Sequence, residues 1–135
     1  MSVELYEIEH SPYCMPIARA LVALGVPYES KLVPNWDRSA VIRLTEGAYY
    51  QVPMLVHGEE MVIESDSASI DIARYVDKAF DEGRLFPEKN KGLHEILIDF
   101  IENDLALTTF KLIDPYYLDT IEDLAKYGRF KAFRY

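Results

Sequence analysis

The sequence has a single cysteine, Cys14, and only three histidines. One cysteine excludes a disulfide within the chain and a zinc site built from several cysteines. Acidic residues number 23 against 14 basic ones, so the formal net charge is −9. Because nucleic acids and anionic membranes attract basic surfaces, we predict neither as a partner. The histidines (His10, His57 and His94) show no spacing typical of catalysis or metal binding, and we predict no metal site.

The sequence also lacks long hydrophobic runs. No apolar segment approaches the ~20 residues of a membrane-spanning helix, and residues 1–4 (MSVE) do not begin a secretory signal. We therefore expect a soluble cytoplasmic protein. Half of the 135 residues are hydrophobic, which is enough for one domain with a real core, or for one domain and part of another.

Alternation and helical periodicity predict an α/β domain in the first 80 residues. Strands are predicted over residues 3–8, 28–33, 52–56 and 61–63, and helices over residues 17–24, 38–44 and 70–80. The order βαβ-α-ββα indicates one sheet with helices on its faces. Gly25 is expected to end the first helix, and the polar residues 64–67 are expected to cap the last one.

A second segment follows a linker. Residues 81–90 contain Gly83 and Pro87, and from Gly92 onward apolar residues recur every three or four positions, which predicts an amphipathic helix ended by Pro115. We therefore predict three parts: a domain over residues 1–80, a linker over residues 81–90 and a helical segment over residues 91–135.

The segment SPYC, residues 11–14, joins the first predicted strand to the first predicted helix. Free N–H groups and the macrodipole favour negative charge at a helix N-terminus. The side chain of Ser11 or Cys14 is therefore placed to stabilise a thiolate, and Cys14 could also be the thiolate itself. With Ser11 as N-cap, Pro16 would remove a backbone hydrogen bond, so a helix start one or two residues later is the alternative.

Two further motifs follow at strand ends. If the bond before Pro53 is cis, the backbone of Val52 faces outward, where an extended thiol peptide can pair with it as an added strand. An ordinary trans proline at a strand start is the alternative. At the next strand-to-helix junction, Glu64 and Ser65 suit a ligand ammonium and a ligand carboxylate, or simply cap the helix.

Together, SPYC, Val52–Pro53 and the Glu64–Ser65 pair eleven residues after Pro53 make residues 1–80 resemble the N-terminal domain of cytosolic glutathione transferases. Residues 84–87 (RLFP) resemble the linker of that family. The resemblance implies a thioredoxin-like α/β fold, with a mixed four-stranded sheet and a cis-proline, followed by a short all-α segment. It also implies glutathione as co-substrate, a small-molecule electrophile and a homodimer.

The resemblance implies roles for these residues. Ser11 would donate a hydrogen bond to the glutathione thiolate and lower the thiol pKa, ordinarily ~8.5, before attack on an electrophilic carbon. Val52, held by Pro53, would pair with the cysteinyl backbone. The remaining contacts to glutathione would come from Glu64 and Ser65 at the γ-glutamyl end, and from Gln51 and Trp36.

Alternatives remain open. Cys14 could form a mixed disulfide with glutathione and run thiol–disulfide exchange, as in cysteine-type members and glutaredoxins. Tyr6 is a third candidate hydroxyl, five residues before Ser11. A module of the same fold with no catalytic activity, binding a partner or acting as a regulator, is the alternative to all of these.

The sequence departs from the family in two places. Family members usually carry an aromatic residue about seven positions after the Glu, whereas Tyr75 lies eleven after Glu64. Either the helix begins a turn earlier, or the ligand contacts move to Asp66 and Ser67. The family's helical domain exceeds a hundred residues, whereas 45 follow residue 90 here. We therefore expect a truncated helical domain whose apolar face favours dimerisation.

Overall fold

The computed structural model describes residues 2–65, 70–106, 108–109 and 111–112. The chain divides into two compact units, Met1–Lys91 and Gly92–Tyr135. Asp66, Ser67 and Pro115, which entered the predictions above, lie outside the described residues.

The first unit has the predicted order of elements. Its strands are β1 (Val3–Glu7), β2 (Glu29–Leu32), β3 (Met54–His57) and β4 (Glu60–Val62), and its helices are α1 (Cys14–Ala23), α2 (Ser39–Leu44) and α3 (Asp71–Phe80), followed by a 3₁₀ turn over Glu88–Asn90. The sheet order is β2-β1-β3-β4. β1 pairs with β2 in parallel, while β1–β3 and β3–β4 are antiparallel. This is a thioredoxin-like fold, as predicted.

Two hydrophobic clusters hold the helices to the sheet. In the first cluster, α1 and α3 pack on strand residues such as Leu5 and Leu55, and its buried members are Val3, Leu5, Ile17, Leu21, Leu55, Ile72 and Val76. In the second, α2 contributes Val41, which packs with Val33 and Met54. Because alternate residues of a strand face opposite sides, neighbouring Met54 and Leu55 serve different clusters. The sheet is therefore covered on both faces.

Helix α1 starts three residues before the predicted position. It begins at Cys14, so Pro16 is its third residue and lies in the first turn, where a missing N–H is tolerated. The Ser11 carbonyl accepts hydrogen bonds from the N–H groups of Cys14 and Met15 at 3.1 and 3.0 Å. The helix therefore starts two residues later than it would with Ser11 as N-cap, as the alternative stated for Pro16 predicted.

Helix α3 starts one residue after the predicted position. Its first residue is Asp71, and the residue before it, Ile70, has the non-helical angles φ −123° and ψ 38°. The expectation that it begins a turn early is therefore wrong, whereas Glu64, one of the polar residues expected to cap it, accepts the N–H of Asp71.

The second unit is helical where it is described. Helix α4 spans Lys91–Phe100 and continues as a π-helical segment over Ile101–Ala106. The apolar side chains that predicted an amphipathic helix are exposed: Leu93, Ile96, Leu97, Phe100, Ile101 and Leu105. Among the described residues, no helix has the length and apolar character needed to cross a membrane.

Candidate functional site

Ser11 lies in the turn between β1 and α1, partly exposed. Its backbone N–H donates to the Ile8 carbonyl at 3.0 Å, which closes the turn. Its hydroxyl oxygen accepts long hydrogen bonds from the N–H groups of Tyr13 and Cys14, at 3.3 and 3.4 Å. Two N–H donors on the oxygen leave its own proton as the group available for donation, and they polarise that O–H bond.

Cys14 is completely buried at the first residue of α1. Burial raises the pKa of its thiol, although a hydrogen bond with the Ser11 side chain lowers it in part. Because the thiolate is the nucleophilic form, burial and a raised pKa both oppose reactivity at neutral pH. Ser11 and Cys14 therefore contact each other, but only Ser11 is accessible.

The Val52–Pro53 peptide bond is cis and immediately precedes β3. Strand β3 begins at Met54 and not at Val52, because proline has no N–H to donate to the sheet. Strands β3 and β4 are antiparallel, so Pro53, just before β3, and Glu64, just after β4, lie at the same end of the sheet. The second and third motifs therefore share one end of the sheet.

Tyr49 links the motifs, and sequence analysis missed it. Its hydroxyl lies 3.5 Å from the Pro53 carbonyl oxygen. Desolvation raises the pKa of Tyr49 to about 12, although a hydrogen bond from the backbone of Glu64 lowers it in part. The charge of the neighbouring Cys14 raises the pKa of Tyr49 as well. A single aromatic residue in a loop carries no periodic signal, so nothing in the sequence singled it out.

Arg38 adds a cation to the same region. Its guanidinium donates to the Asn35 side-chain oxygen at 3.2 Å. Desolvation lowers its pKa, whereas Cys14 and Tyr49 raise it. Reciprocally, Arg38 lowers the pKa of Cys14. A positive charge therefore lies among the groups that surround the start of α1.

Glu64 and Ser65 are joined to α3 through Asp71. The backbone N–H of Ser65 donates to Oδ2 of Asp71 at 2.8 Å, and the backbone N–H of Asp71 donates to Oε2 of Glu64 at 2.6 Å. Glu64 therefore accepts from the first residue of α3, although it lies seven residues earlier. Asp71 is the second residue that sequence analysis missed, since an acid in the first helical turn is ordinary.

Other predicted residues lie at the surface or have local partners. Trp36 and Gln51 are exposed. The Tyr6 hydroxyl donates to Glu4 at 3.0 Å within β1. The Tyr75 hydroxyl lies 2.9 Å from both His57 Nδ1 and Glu60 Oε2, which ties α3 to the β3–β4 hairpin. Within the described part of the chain, no three His, Cys, Asp or Glu side chains are grouped as metal ligands.

The fold and these motif positions define a thioredoxin-like domain of the glutathione transferase type. The family model described as "Glutathione S-transferase, N-terminal domain" matches residues 5–84, more than half of the chain. The chain belongs to this family.

Individual relatives agree in fold but are longer. A probable glutathione S-transferase of Nicotiana tabacum is 24% identical over 106 residues, which are 77% of this chain and 46% of the relative. A delta-class glutathione transferase structure from Nilaparvata lugens matches with TM-score 0.66 and 20% identity, covering 84% of this chain and 54% of that one. A glutathione transferase homolog from Burkholderia gl BGR1, with bound glutathione, matches with TM-score 0.58 and 25% identity over 77% of this chain and 55% of its own. The chain spans about half the length of these relatives.

Proposed function

We propose that the first unit binds glutathione and that the Ser11 hydroxyl activates its thiol for conjugation to an electrophile. The observation that carries this proposal is the meeting of three motifs at one end of the sheet. Tyr49 contacts Pro53 and Glu64. It also lies close enough to Cys14, in the SPYC segment, for Cys14 to shift the pKa of Tyr49. A relative of the same fold holds bound glutathione, which supports the choice of ligand.

In the proposed complex, each motif holds one part of the tripeptide. The backbone of Val52, ahead of Pro53, pairs with the cysteinyl residue as an added strand. Glu64 receives the ammonium of the γ-glutamyl end, and Ser65 receives its carboxylate. The exposed side chains of Gln51 and Trp36 are available for contacts along the remaining peptide.

The chemical step needs little from the protein beyond the thiolate. The Ser11 hydroxyl donates a hydrogen bond to the glutathione sulfur, and this favours the anion and lowers the thiol pKa, so that the thiol proton is released to solvent. The N-terminus of α1 adds its positive end. The sulfur then attacks an electrophilic carbon, the carbon–sulfur bond forms, and the leaving group departs with the electron pair of its bond.

Burial supports Ser11 over Cys14 as the acting group. Thiol–disulfide exchange requires in-line access to the attacking sulfur. Cys14 is fully buried and its pKa is raised, whereas Ser11 is partly exposed. A glutathione-dependent oxidoreductase using Cys14 is therefore the less favoured function.

The experiment compares four proteins: wild type, Ser11→Ala, Cys14→Ala and the control Ser2→Ala. Ser2 is exposed at the opposite end of β1. Glutathione binding is measured by calorimetry and by thermal shift at millimolar ligand, and conjugation by the absorbance of the S-aryl product formed from an aryl halide. Losing one hydrogen-bond donor to the thiolate should lower kcat/KM by about 10- to 100-fold in Ser11→Ala, with Cys14→Ala and Ser2→Ala near wild type.

Each result has a distinct meaning. If no protein of the set binds glutathione, the proposed function is wrong and a non-catalytic module remains. If Cys14→Ala alone abolishes turnover, and a mixed disulfide is the substrate consumed, the oxidoreductase function replaces it. Binding without conjugation by wild type would reject the enzymatic part only.

We further propose that the protein acts as a cytoplasmic homodimer. The exposed apolar side chains of α4, including Ile96 and Phe100, support an association that covers them. Sedimentation velocity checks the oligomeric state, and a monomer at tens of micromolar would contradict it.

A further inference from the structure

We propose that Asp71 determines ligand specificity by competing with the carboxylate of glutathione for the backbone N–H of Ser65. The inference rests on the proposed function and deepens it. In place of an amino-acid end, the site would favour a thiol peptide whose corresponding end carries an amine without a carboxylate.

The geometry supplies the competition. The Ser65 N–H donates to Asp71 Oδ2 at 2.8 Å, a good distance for an N–H to a carboxylate. Ser65 was assigned above to the γ-glutamyl carboxylate, and its backbone N–H is the donor that such a carboxylate would need. Since one N–H carries one proton, a ligand carboxylate must displace Asp71 before it can form the same hydrogen bond.

The backbone N–H groups of Ser65 and Asp71 both donate to carboxylates of this chain. While Ser65 donates to Asp71, the Asp71 N–H donates to Glu64 at 2.6 Å. The N-terminus of α3 thus meets a carboxylate of its own chain, which satisfies one of the N–H groups left over at a helix start. An entering carboxylate therefore breaks a satisfied interaction instead of filling an open one.

Charge acts in the same sense. Glu64 and Asp71 bring two carboxylates to the end of the site where one was expected. A third, from the ligand, would be repelled, whereas an ammonium would be attracted. Because Ser65 is exposed, solvent moderates these effects and a change of several-fold is expected.

The departure in spacing explains why Asp71 is available. Tyr75 lies eleven residues after Glu64 instead of about seven, and α3 begins only at Asp71. The first residue of the delayed helix then returns its side chain to Ser65.

The test is a cycle between Asp71 and the ligand carboxylate. Dissociation constants are measured for glutathione and for γ-aminobutyryl-cysteinyl-glycine, which is glutathione without the α-carboxylate. The proteins are wild type, Asp71→Asn, Asp71→Ala and the control Glu59→Gln. Glu59 is an exposed acid in the β3–β4 turn, at the other end of β3 from Pro53, so its removal controls for net charge.

Removing the competing charge should tighten glutathione binding by about five- to tenfold. Binding of the analogue should weaken by up to about twofold, because its ammonium loses an attracting charge. Asp71→Asn keeps the side-chain shape and a weaker acceptor, so it tests charge even if Asp71→Ala loses stability. Glu59→Gln should leave the ratio of the two constants unchanged.

The outcomes separate the two proposals. Tighter binding of glutathione by both Asp71 variants than by wild type, without a matching gain for the analogue, supports the inference. Equal or weaker glutathione binding by both Asp71 variants, with wild-type binding intact, overturns the inference and leaves the proposed function standing. Absence of binding to either ligand by every folded protein overturns both.

Discussion

The thiol of Cys14 is completely buried, whereas Ser11, which starts the same turn and contacts it, is partly exposed. The only cysteine of the chain therefore acts as a core residue of α1. Its side chain supports the turn that presents Ser11, and this separates a structural thiol from the hydroxyl that we propose for activation of a ligand's thiol.

Cys14 should react slowly with thiol reagents in the folded protein. Burial hides the sulfur and raises its pKa, so both access and thiolate fraction are reduced. With a chromogenic disulfide at pH 7.5, we expect modification at least about a hundredfold slower than in urea-unfolded protein, because the core must open first. A rate similar to that of the unfolded chain would contradict this placement of Cys14.

The same shift predicts a loss of stability in alkali. Because the folded-state pKa is raised, the unfolded chain releases the thiol proton first as pH rises above about 8.5. The free energy of unfolding should therefore fall with pH in wild type and fall less in Cys14→Ala. Urea titrations at pH 7, 8, 9 and 10 measure the difference.

The raised pKa of Tyr49 predicts a second loss of stability, at higher pH. Its pKa is raised from 10.0 to about 12, so the stabilisation is complete below pH 10 and is lost between pH 10 and 12, as the unfolded chain releases the phenol proton first. Two pKa units correspond to about 3 kcal/mol. Tyr49→Phe should remove that part of the pH dependence.

Urea unfolding of wild type and Tyr49→Phe at pH 8 to 11 isolates this contribution, since other tyrosines titrate equally in both proteins. The control is Tyr50→Phe, which removes the hydroxyl of an exposed neighbour. If both variants follow the wild-type slope, Tyr49 does not carry the effect.

The sequence was sufficient for the thioredoxin-like fold and for the elements that carry the motifs. Alternation over residues 3–8 predicted a strand, and β1 spans Val3–Glu7 with every second residue buried. Such patterns are local, because the side chains of consecutive residues point outward with a fixed period in each strand or helix. The two strands of the β3–β4 hairpin were also predicted, but not the register that places Pro53 and Glu64 at the same end of the sheet.

The parts that were missed depend on contacts between distant residues. Tyr49 reaches Pro53 from a loop, and Asp71 reaches back across the connection to Ser65. Hydrogen bonds of this kind leave no period in the sequence. For the same reason Glu64 was not singled out, among the polar residues 64–67, as the one that accepts the first N–H of α3.

Gly25 should be essential to the end of α1. It has φ +69°, its N–H donates to the Val22 carbonyl, and the next N–H, of Val26, donates to the Leu21 carbonyl. These two bonds close the helix with a residue in the left-handed region, which a Cβ disfavours. Gly25→Ala should destabilise the protein by about 1 kcal/mol in urea unfolding.

A matched control comes from Gly92, which lies in α4 with open space where a Cβ would be and without a left-handed φ. Gly92→Ala should favour its helix by up to about 1 kcal/mol, the opposite sign. A neutral or stabilising effect of Gly25→Ala would show that backbone conformation does not limit this turn.

Asp77 should fix the segment that follows α3. Its side chain is buried, and its two carboxylate oxygens accept the backbone N–H groups of Leu85 and Phe86 at 2.8 and 3.1 Å. Asp77→Ala would leave both donors without this acceptor, at a cost of about 2–4 kcal/mol. Asp77→Asn retains one oxygen acceptor and should cost less. Asp99→Asn, the same change at an exposed site in α4, should cost less than about 0.5 kcal/mol.

Hydrogen exchange gives the sharper measurement for Asp77, because it reports on the two donors directly. The amides of Leu85 and Phe86 should exchange faster in Asp77→Ala than in wild type by more than the change in global stability explains. If they accelerate only in step with the core amides of β1 and β3, the carboxylate stabilises the whole domain without fixing residues 81–86. That result would favour the linker that Gly83 and Pro87 predicted over residues 81–90.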